Sequence, residues 1–570
     1  MYYPSQKKPS RRLYTFPGGL HLPENKAQST TTATVKAALP RKLILPIQQH
    51  IGAPAQVLVK VGERVLKGAM IANPQGRISA SVHAPSSGIV SEISEHPVAH
   101  PSGLPALCIV IETDGEDEWG ELPPAIDDFR LCEPGLLLER IRTSGIVGLG
   151  GASFPTNIKL EPKKERRIDT LVINAAECEP FITCDDMLMR DRPQEILEGI
   201  TIMKHLVGAA SCLIGIEDNK PEAIAAMTKV ISEQEVDNIE LVVIPTLYPS
   251  GGERQLIRVL TGKEVPSGKL PASIGIVCNN VGTAAAVADA VLRGRPLISR
   301  YITVTGEGVA NPRNLEALIG TSGSELIEQA GGYTGEAARL IMGGPMMGFT
   351  LHTDKVPIVK ASNCLLAAST REAPDPGLAT ACIRCGKCAE VCPVSLLPQQ
   401  MYWYARAKDL EKTQEYNLFD CIECGCCSHV CPAHIPLVQY FRFAKNECWD
   451  QEREKKSAEL ARMRHEAKLA RLARLEAEKI ARAQKKKAAL ARSASTNKGS
   501  DAAGDPKKAA IEAALKRAAE KKARLAEEGV KPQNTDNLTD AQRRQVQQAD
   551  ARRKALGDGD TRQASEQQDR

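Results

Sequence analysis

One spacing occurs twice in this chain and constrains it more than any other feature. Residues 382–393 read CIRCGKCAEVCP and residues 421–432 read CIECGCCSHVCP, both of the form C-x-x-C-x-x-C-x-x-x-C-P. A 4Fe–4S cube needs four thiolates in tetrahedral array, and a single C-x-x-C-x-x-C turn wraps only one side of it. The fourth cysteine of each run, turned away by Pro393 or Pro432, reaches the other cube. The spacing therefore predicts one cluster on Cys382, Cys385, Cys388 and Cys431, and a second on Cys421, Cys424, Cys427 and Cys392. Cys426 falls opposite Lys387 and is left over. With Cys364 and Cys448 it reads as an ordinary buried or partly buried thiol. Two structural zinc sites are the competing reading, which a four-cysteine run ending in proline, used twice, argues against.

Composition places those thiols. The 570 residues include 17 cysteines, yet the opening MYYPSQKKPS has no basic–apolar–small leader and no stretch reaches about 18 continuous apolar residues. A cytosolic chain with reduced, metal-binding thiols is expected, meeting a membrane only through partners or surface charge. The net charge of +5 is uneven. Residues 451–570 hold 30 Lys/Arg and 19 Asp/Glu, a balance of +11, leaving 44 and 50, or −6, in residues 1–450. With 4% aromatic residues and no aromatic–basic interleaving in the body, nucleic-acid binding is not expected.

The chain reads as several domains, α/β and β. Residues 1–35 form a loop-like extension containing TFPGGLHLPENK. From 36 to 120, short β runs alternate with turns; VKVGERVLKGAMIA followed by VHAPSSGIV resembles the barrel-sandwich hybrid of lipoyl and biotinyl domains. Those carriers present a lysine on the hairpin that is ANPQGR here, so the scaffold is expected without the carrier function. From 125 to 300 strands alternate with helical stretches, the βα rhythm of a parallel sheet. Residues 301–365 return to β and turn and resemble the β-grasp (SLBB-like) modules found beside flavoprotein domains. The cysteine runs occupy 370–447, where a helix-compatible segment from Pro398 to Tyr416 predicts a helical two-cluster ferredoxin module that carries single electrons. Residues 449–570 form an Ala/Lys/Arg-rich tail: a solvated helix, then low-complexity sequence with a second helix over 507–529.

An electron wire needs a source, and the α/β region offers one. Residues 145–160 read GIVGLGGASFPTNIKL, whose glycines let the backbone approach a phosphate or ring near the charge of Lys159. It does not match G-x-G-x-x-G, so an ordinary dinucleotide fold is not expected. NAAECEP (174–180), YPSGGERQLI (248–257) and VCNNVGTAAAV (277–287) follow. In this order the four segments resemble the NADH-oxidising flavoprotein of respiratory complex I. The resemblance implies an FMN lined by Gly148, Gly150, Lys159, Asn174, Glu177, Tyr248, Gly251, Asn279, Asn280 and Thr283, with Glu179 and Glu253 near the nicotinamide nucleotide. Ala176 and Gly252 replace acidic residues of that family, and Ser153 replaces a glycine.

The whole order, from TFPGGLHLPENK to the basic tail, resembles the RnfC/RsxC family of Rnf/Rsx-type electron-transport complexes over about residues 10–450. That family implies a peripheral protein on the cytoplasmic side of the inner membrane. It implies electron exchange between NADH and a ferredoxin-type partner while membrane subunits move Na⁺ or H⁺, and reduction of an iron–sulfur redox-sensing transcription regulator. No residue is expected to act as a covalent or acid–base catalyst. The alternatives are a soluble NADH:ferredoxin-type oxidoreductase and a flavin-less relay protein.

Overall fold

The computed structural model describes residues 11–161, 167–234, 236–375, 377–495, 512–517, 519–520 and 547–548. Two compact units divide the chain, Met1–Ser457 and Ala458–Arg570.

The N-terminal segment carries more structure than its loop-like sequence suggests. It contains a short helix α1 (Ala27–Thr30) and a strand β1 (Val35–Lys36) that pairs in parallel with a strand almost three hundred residues away. Then come β2 (Lys42–Pro46), β3 (Gln56–Val57), β4 (Arg64–Val65), β5 (Met70–Asn73), β6 (Val82–His83), β7 (Gly88–Pro97) and β8 (Pro105–Thr113). They form two antiparallel sheets, β2-β8-β7-β4 and β3-β5-β6. Leu43, Leu45, Val90, Ile109 and Ile111 close between them, the inward half of a period-2 alternation.

The second region holds α2 (Pro134–Thr143), α3 (Thr156–Leu160), β9 (Thr170–Ala175), α4 (Cys184–Asp191), α5 (Pro193–Val207), β10 (Ser211–Glu217), α6 (Pro221–Glu233), β11 (Ile239–Ile244), α7 (Glu253–Thr261), β12 (Ile276–Asn280) and α8 (Val281–Leu292). The four strands are all parallel, in the order β11-β10-β9-β12. Being covered on both faces they are nearly all apolar. Helix α5 starts with proline at its first position and ends at Gly208 in the left-handed conformation. It crosses α8 so closely that a Cβ on Gly199 would lie 1.8 Å from the Ala284 carbonyl oxygen. That approach explains why α8 opens as VGTAAAV. The apolar core runs without a break from the barrel into this layer.

A mixed sheet follows, built from β13 (Ser299–Thr305), β14 (Arg313–Leu318), β15 (Arg339–Met342), β16 (Phe349–Thr350) and β17 (Cys364–Ala368) around α9 (Gly323–Gln329), with β1 on its edge in the order β1-β14-β13-β17-β15-β16. The expected boundaries at 301 and 365 cut through β13 and β17. The sheet also draws on residues 35–36, because parallel pairing needs no sequence proximity.

The cysteine region comprises α10 (Lys387–Glu390), α11 (Pro398–Arg406), α12 (Leu410–Glu415), α13 (Cys426–His429) and α14 (Leu437–Ser495). The segment 398–416 is two helices rather than one. Lys408 has φ +58° and Asp409 starts the second helix by accepting the Lys412 N–H. Residues 437–448 bury Leu437, Val438, Phe441, Ala444 and Cys448 beneath the cysteine loops, whereas the described residues after 457 are almost all exposed. Most of the expected helix over 507–529 lies outside the described residues; 512–517 and 519–520 within it are helical.

Candidate functional site

A crevice opens at the carboxyl ends of the parallel strands, where β10 lies on one side of β9 and β12 on the other. Such a reversal leaves a gap between the outgoing loops, and ligands of open parallel sheets bind there. Asn174, next to last in β9, pairs in register with Asn280 of β12. The Asn280 Oδ1 caps α8 by accepting the Gly282 and Thr283 N–H groups, and its Nδ2 donates to Asp185 at 2.6 Å. The glycine loop folds onto the same helix start: the Leu149 N–H donates to Thr283 Oγ1 at 2.9 Å, and a Cβ on Gly150 would sit 3.4 Å from Asn280 Cβ. Gly151, at φ +112°, faces open space. Asn174 Nδ2 donates to the Gly251 carbonyl at 2.7 Å. Lys159 pairs with Glu253 at 2.6 Å; although burial opposes it, that carboxylate holds the ammonium above its usual pKa.

The sequence-derived residues thus divide. Gly150, Asn280 and Thr283 meet at the start of α8, Asn174 meets Gly251 and Lys159 meets Glu253, while Gly148 lies in the glycine loop and Asn279 beside Asn280 on β12. Glu177, Glu179 and Tyr248 turn their polar atoms into the fold. The Glu177 carboxylate accepts the Asp185 and Asp186 N–H groups at the start of α4, at 2.6 and 3.1 Å, and burial pushes its pKa up to about 8. Glu179 accepts from the Met346 and Met347 N–H groups at 2.7 and 3.0 Å, spending its carboxylate on the GGPMMG turn of the mixed sheet. The Tyr248 hydroxyl donates to the Cys424 carbonyl at 2.7 Å.

Two buried atoms bear on what the crevice can hold. Asn279 Nδ2 and Ser153 Oγ are both shielded from solvent without a partner among the described residues. An unpaired buried donor costs about 1–3 kcal/mol, which a ligand acceptor removes. With the capped start of α8 and the Lys159 charge, the donor set suits an anionic, carbonyl-bearing group such as a flavin mononucleotide. Ser153 itself sits at φ +48°, where its glycine counterpart would be unstrained.

Sequence reasoning passed over Lys26. Its buried Nζ donates to the carbonyls of Glu177, Glu179 and Ile182 at 2.8, 3.0 and 2.5 Å, fixing the loop behind the crevice. The one signal was the closing lysine of TFPGGLHLPENK, indistinguishable in sequence from a surface charge.

The cysteines gather into two apolar cavities. One is lined by Cys382, Cys385, Cys388 and Cys431; the other by Cys392, Cys421, Cys424 and Cys427, with Cys426 also on its wall. Both runs share one backbone. Arg384 and Glu423 have φ +60° and +58°, Gly386 and Gly425 have φ +83° and +81°, and each pair leads into a one-turn helix. Four sulfurs around an apolar void are the donor chemistry of a cubane cluster. Cys364 and Cys448 are buried and line neither cavity.

Comparison with known proteins places families along this chain. The RnfC barrel sandwich hybrid domain matches residues 14–116, the Nuo51 FMN-binding domain 141–289, the SLBB domain 301–350 and the 4Fe-4S dicluster domain 378–435. The cofactors are accordingly FMN and two 4Fe–4S clusters. Proteins named as the C component of an ion-translocating oxidoreductase complex are similar over most of the chain. That of Pseudomonas aeruginosa is 54% identical over 82% of this chain and 60% of its own length. Those of Serratia proteamaculans and Yersinia pestis are each 50% identical, over 84% and 83% of this chain and 67% and 75% of their own lengths. This chain thus matches from 60% to three quarters of these relatives. A solved NAD⁺-reducing [NiFe]-hydrogenase in the H₂-reduced state overlaps 55% of this chain and 63% of its own, with 20% identity and a TM-score of 0.40.

Proposed function

The chain belongs to the RnfC family, the C component of ion-translocating oxidoreductase complexes, and from that membership we propose that it passes electrons between NADH and a ferredoxin-type partner within such a complex. Ion movement is assigned to membrane subunits, since among the described residues no helix is long and apolar enough to cross a membrane. The proposed location is the inner membrane, peripheral, on the cytoplasmic side; keeping an iron–sulfur redox-sensing regulator reduced is a further proposed outcome.

The observation that carries the reading is the joining, within one compact unit, of the crevice to a four-sulfur cavity through Tyr248 and Cys424. FMN, when bound, supplies the exchange between a nicotinamide's hydride and the single electrons that iron–sulfur clusters carry. The chain's residues do the holding. Asn279, Asn280, Lys159 and the 148–151 loop bind the flavin nucleotide; Asn174 fixes Gly251, and Glu253 keeps Lys159 charged. Glu177 and Glu179 act from behind, by ordering α4 and the GGPMMG turn. Cys382, Cys385, Cys388 and Cys431 hold one cluster, and Cys392, Cys421, Cys424 and Cys427 the other.

The test is anaerobic purification of the full chain, with iron count, visible spectrum and NADH addition. About eight irons and a flavin band that bleaches with NADH support the reading. About eight irons without flavin would make the chain a relay fed by a partner, an outcome for which Ala176 and Gly252 leave room.

A further inference from the structure

The resemblance to the complex I flavoprotein implies Tyr248 among flavin-lining residues, but its hydroxyl is used elsewhere. The residue is 3% exposed and packs in an apolar seam with Cys424 and Cys426, flanked by Cys178 and Met346. Its backbone is pinned in both directions to the N-terminal segment: the Leu20 N–H donates to the Tyr248 carbonyl at 2.8 Å, and the Tyr248 N–H to the Leu20 carbonyl at 2.9 Å. Three residues on, the same loop supplies Gly251, held by Asn174, and then Glu253, the partner of Lys159. One short loop therefore borders the crevice at one end and grips the carbonyl of a cavity cysteine at the other.

Further polar bridges reach the same cavity. Gln255 Nε2 donates to the carbonyl of Pro393, beside Cys392, and Arg254 pairs at 3.0 Å with Asp420, beside Cys421. The GGPMMG turn closes the third side, since a Cβ on Gly425 would lie 2.8 Å from the Met346 carbonyl oxygen. The cavity of Cys382, Cys385, Cys388 and Cys431 receives no such grip among these bridges, and Cys385 is exposed.

We infer that Tyr248 is a positioning residue that couples the crevice to the cluster on Cys392, Cys421, Cys424 and Cys427, and that this inner cluster is the first to receive electrons from the crevice. The hydroxyl fixes the 424–425 peptide, hence the left-handed turn at Gly425 and the direction of the Cys424 sulfur. The ring keeps water out of the seam. Hydrogen bonding and burial around ligating sulfurs set cluster potential, so the same contact bears on both position and potential. Each NADH gives up two electrons and leaves as NAD⁺ with one proton released, enough for one electron on each cluster. This inference rests on the function proposed above.

The experiment compares the full, cofactor-loaded chain with Tyr248→Phe, using Cys392→Ala to mark the inner cluster's spectrum. Rapid mixing with NADH follows flavin and cluster bands separately, and a dithionite titration followed by electron paramagnetic resonance gives each cluster's potential. Expected for Tyr248→Phe is flavin bleaching at the wild-type rate, cluster reduction about tenfold slower, the weight of one buried hydrogen bond on a barrier, and a shifted potential only for the inner cluster. Unchanged cluster reduction with unchanged potentials overturns it, as do equal shifts in both clusters. Should the variant purify with about four irons, loss of the inner cluster alone supports the role and loss from both sites overturns it. If wild-type flavin fails to bleach with NADH, the proposed function fails. The dithionite titration then still decides whether Tyr248 governs the inner cluster.

Discussion

The two cysteine cavities have the same spacing, the same left-handed turns and the same one-turn helices, yet opposite surroundings. At the outer one Cys385 and Ile383 are exposed. At the inner one Cys392, Cys424 and Cys427 are buried, and Cys424 packs with Tyr248, Met346 and the N-terminal Leu20 and Leu22. Local spacing sets what can be ligated, whereas neighbours brought by the fold set solvent access and hydrogen bonding, and so potential and order of reaction.

The largest expected effect breaks the run-by-run view of the cysteines. Cys392 lies in the first run but lines the inner cavity, so Cys392→Ala should abolish the inner cluster and leave the outer one. Cys431→Ala should do the reverse. Each should purify with about four irons instead of about eight, resolved by iron count and paramagnetic resonance. Loss of the outer cluster from Cys392→Ala would mean ligation within each run.

Gly18→Val sharpens the contrast through the N-terminal segment. Gly18 has φ +62°, and a Cβ there would lie 2.5 Å from the Val391 carbonyl, next to Cys392. Strain plus overlap should cost about 3 kcal/mol. Chelator challenge should then strip the inner cluster faster with the outer rate unchanged.

A control lies away from both cavities. His83 is buried among barrel residues, and burial first, then the nearby Lys360, lowers its pKa to about 3. Folded, it stays neutral, while an unfolded histidine gains a proton below about 6.5. Its contribution is therefore full above about pH 6.5 and is lost as pH falls from there towards about 3, by about 2 kcal/mol at about pH 5. Urea unfolding across that range should lose this slope in His83→Gln, with both cluster spectra unchanged. The smallest effect is expected from Asp420→Asn. Removing the partly exposed pair with Arg254 should cost about 1 kcal/mol and modestly hasten release of inner-cluster iron to a chelator.

Much of the site was legible because its signals are local. The cysteine intervals, the glycine loop, the asparagine that caps α8, and the proline and glycine that bracket α5 each act within a few residues. The helix-compatible segment 398–416 is helical, but its break into two helices was not legible, because the left-handed Lys408 carries no mark in sequence. Glu177, Glu179 and Tyr248 had the right chemistry for ligand contact, but an acidic or phenolic side chain serves equally well as a helix cap or a bridge to a distant carbonyl. Only packing separates those uses. Lys26 was missed for the same reason, since a buried ammonium is defined by the carbonyls around it.

By itself the sequence determined the number and spacing of the cysteines that line the two cavities, the β then α/β order of the body, the glycine loop and the basic tail, all set by short-range spacing and periodicity. The tertiary structure alone decided which cavity lies inside, that residues 14–36 strap the body and complete a distant sheet, and that Tyr248 serves a cysteine loop. Those outcomes depend on contacts between residues up to about three hundred positions apart, where burial and hydrogen-bond satisfaction, not local propensity, choose the partner.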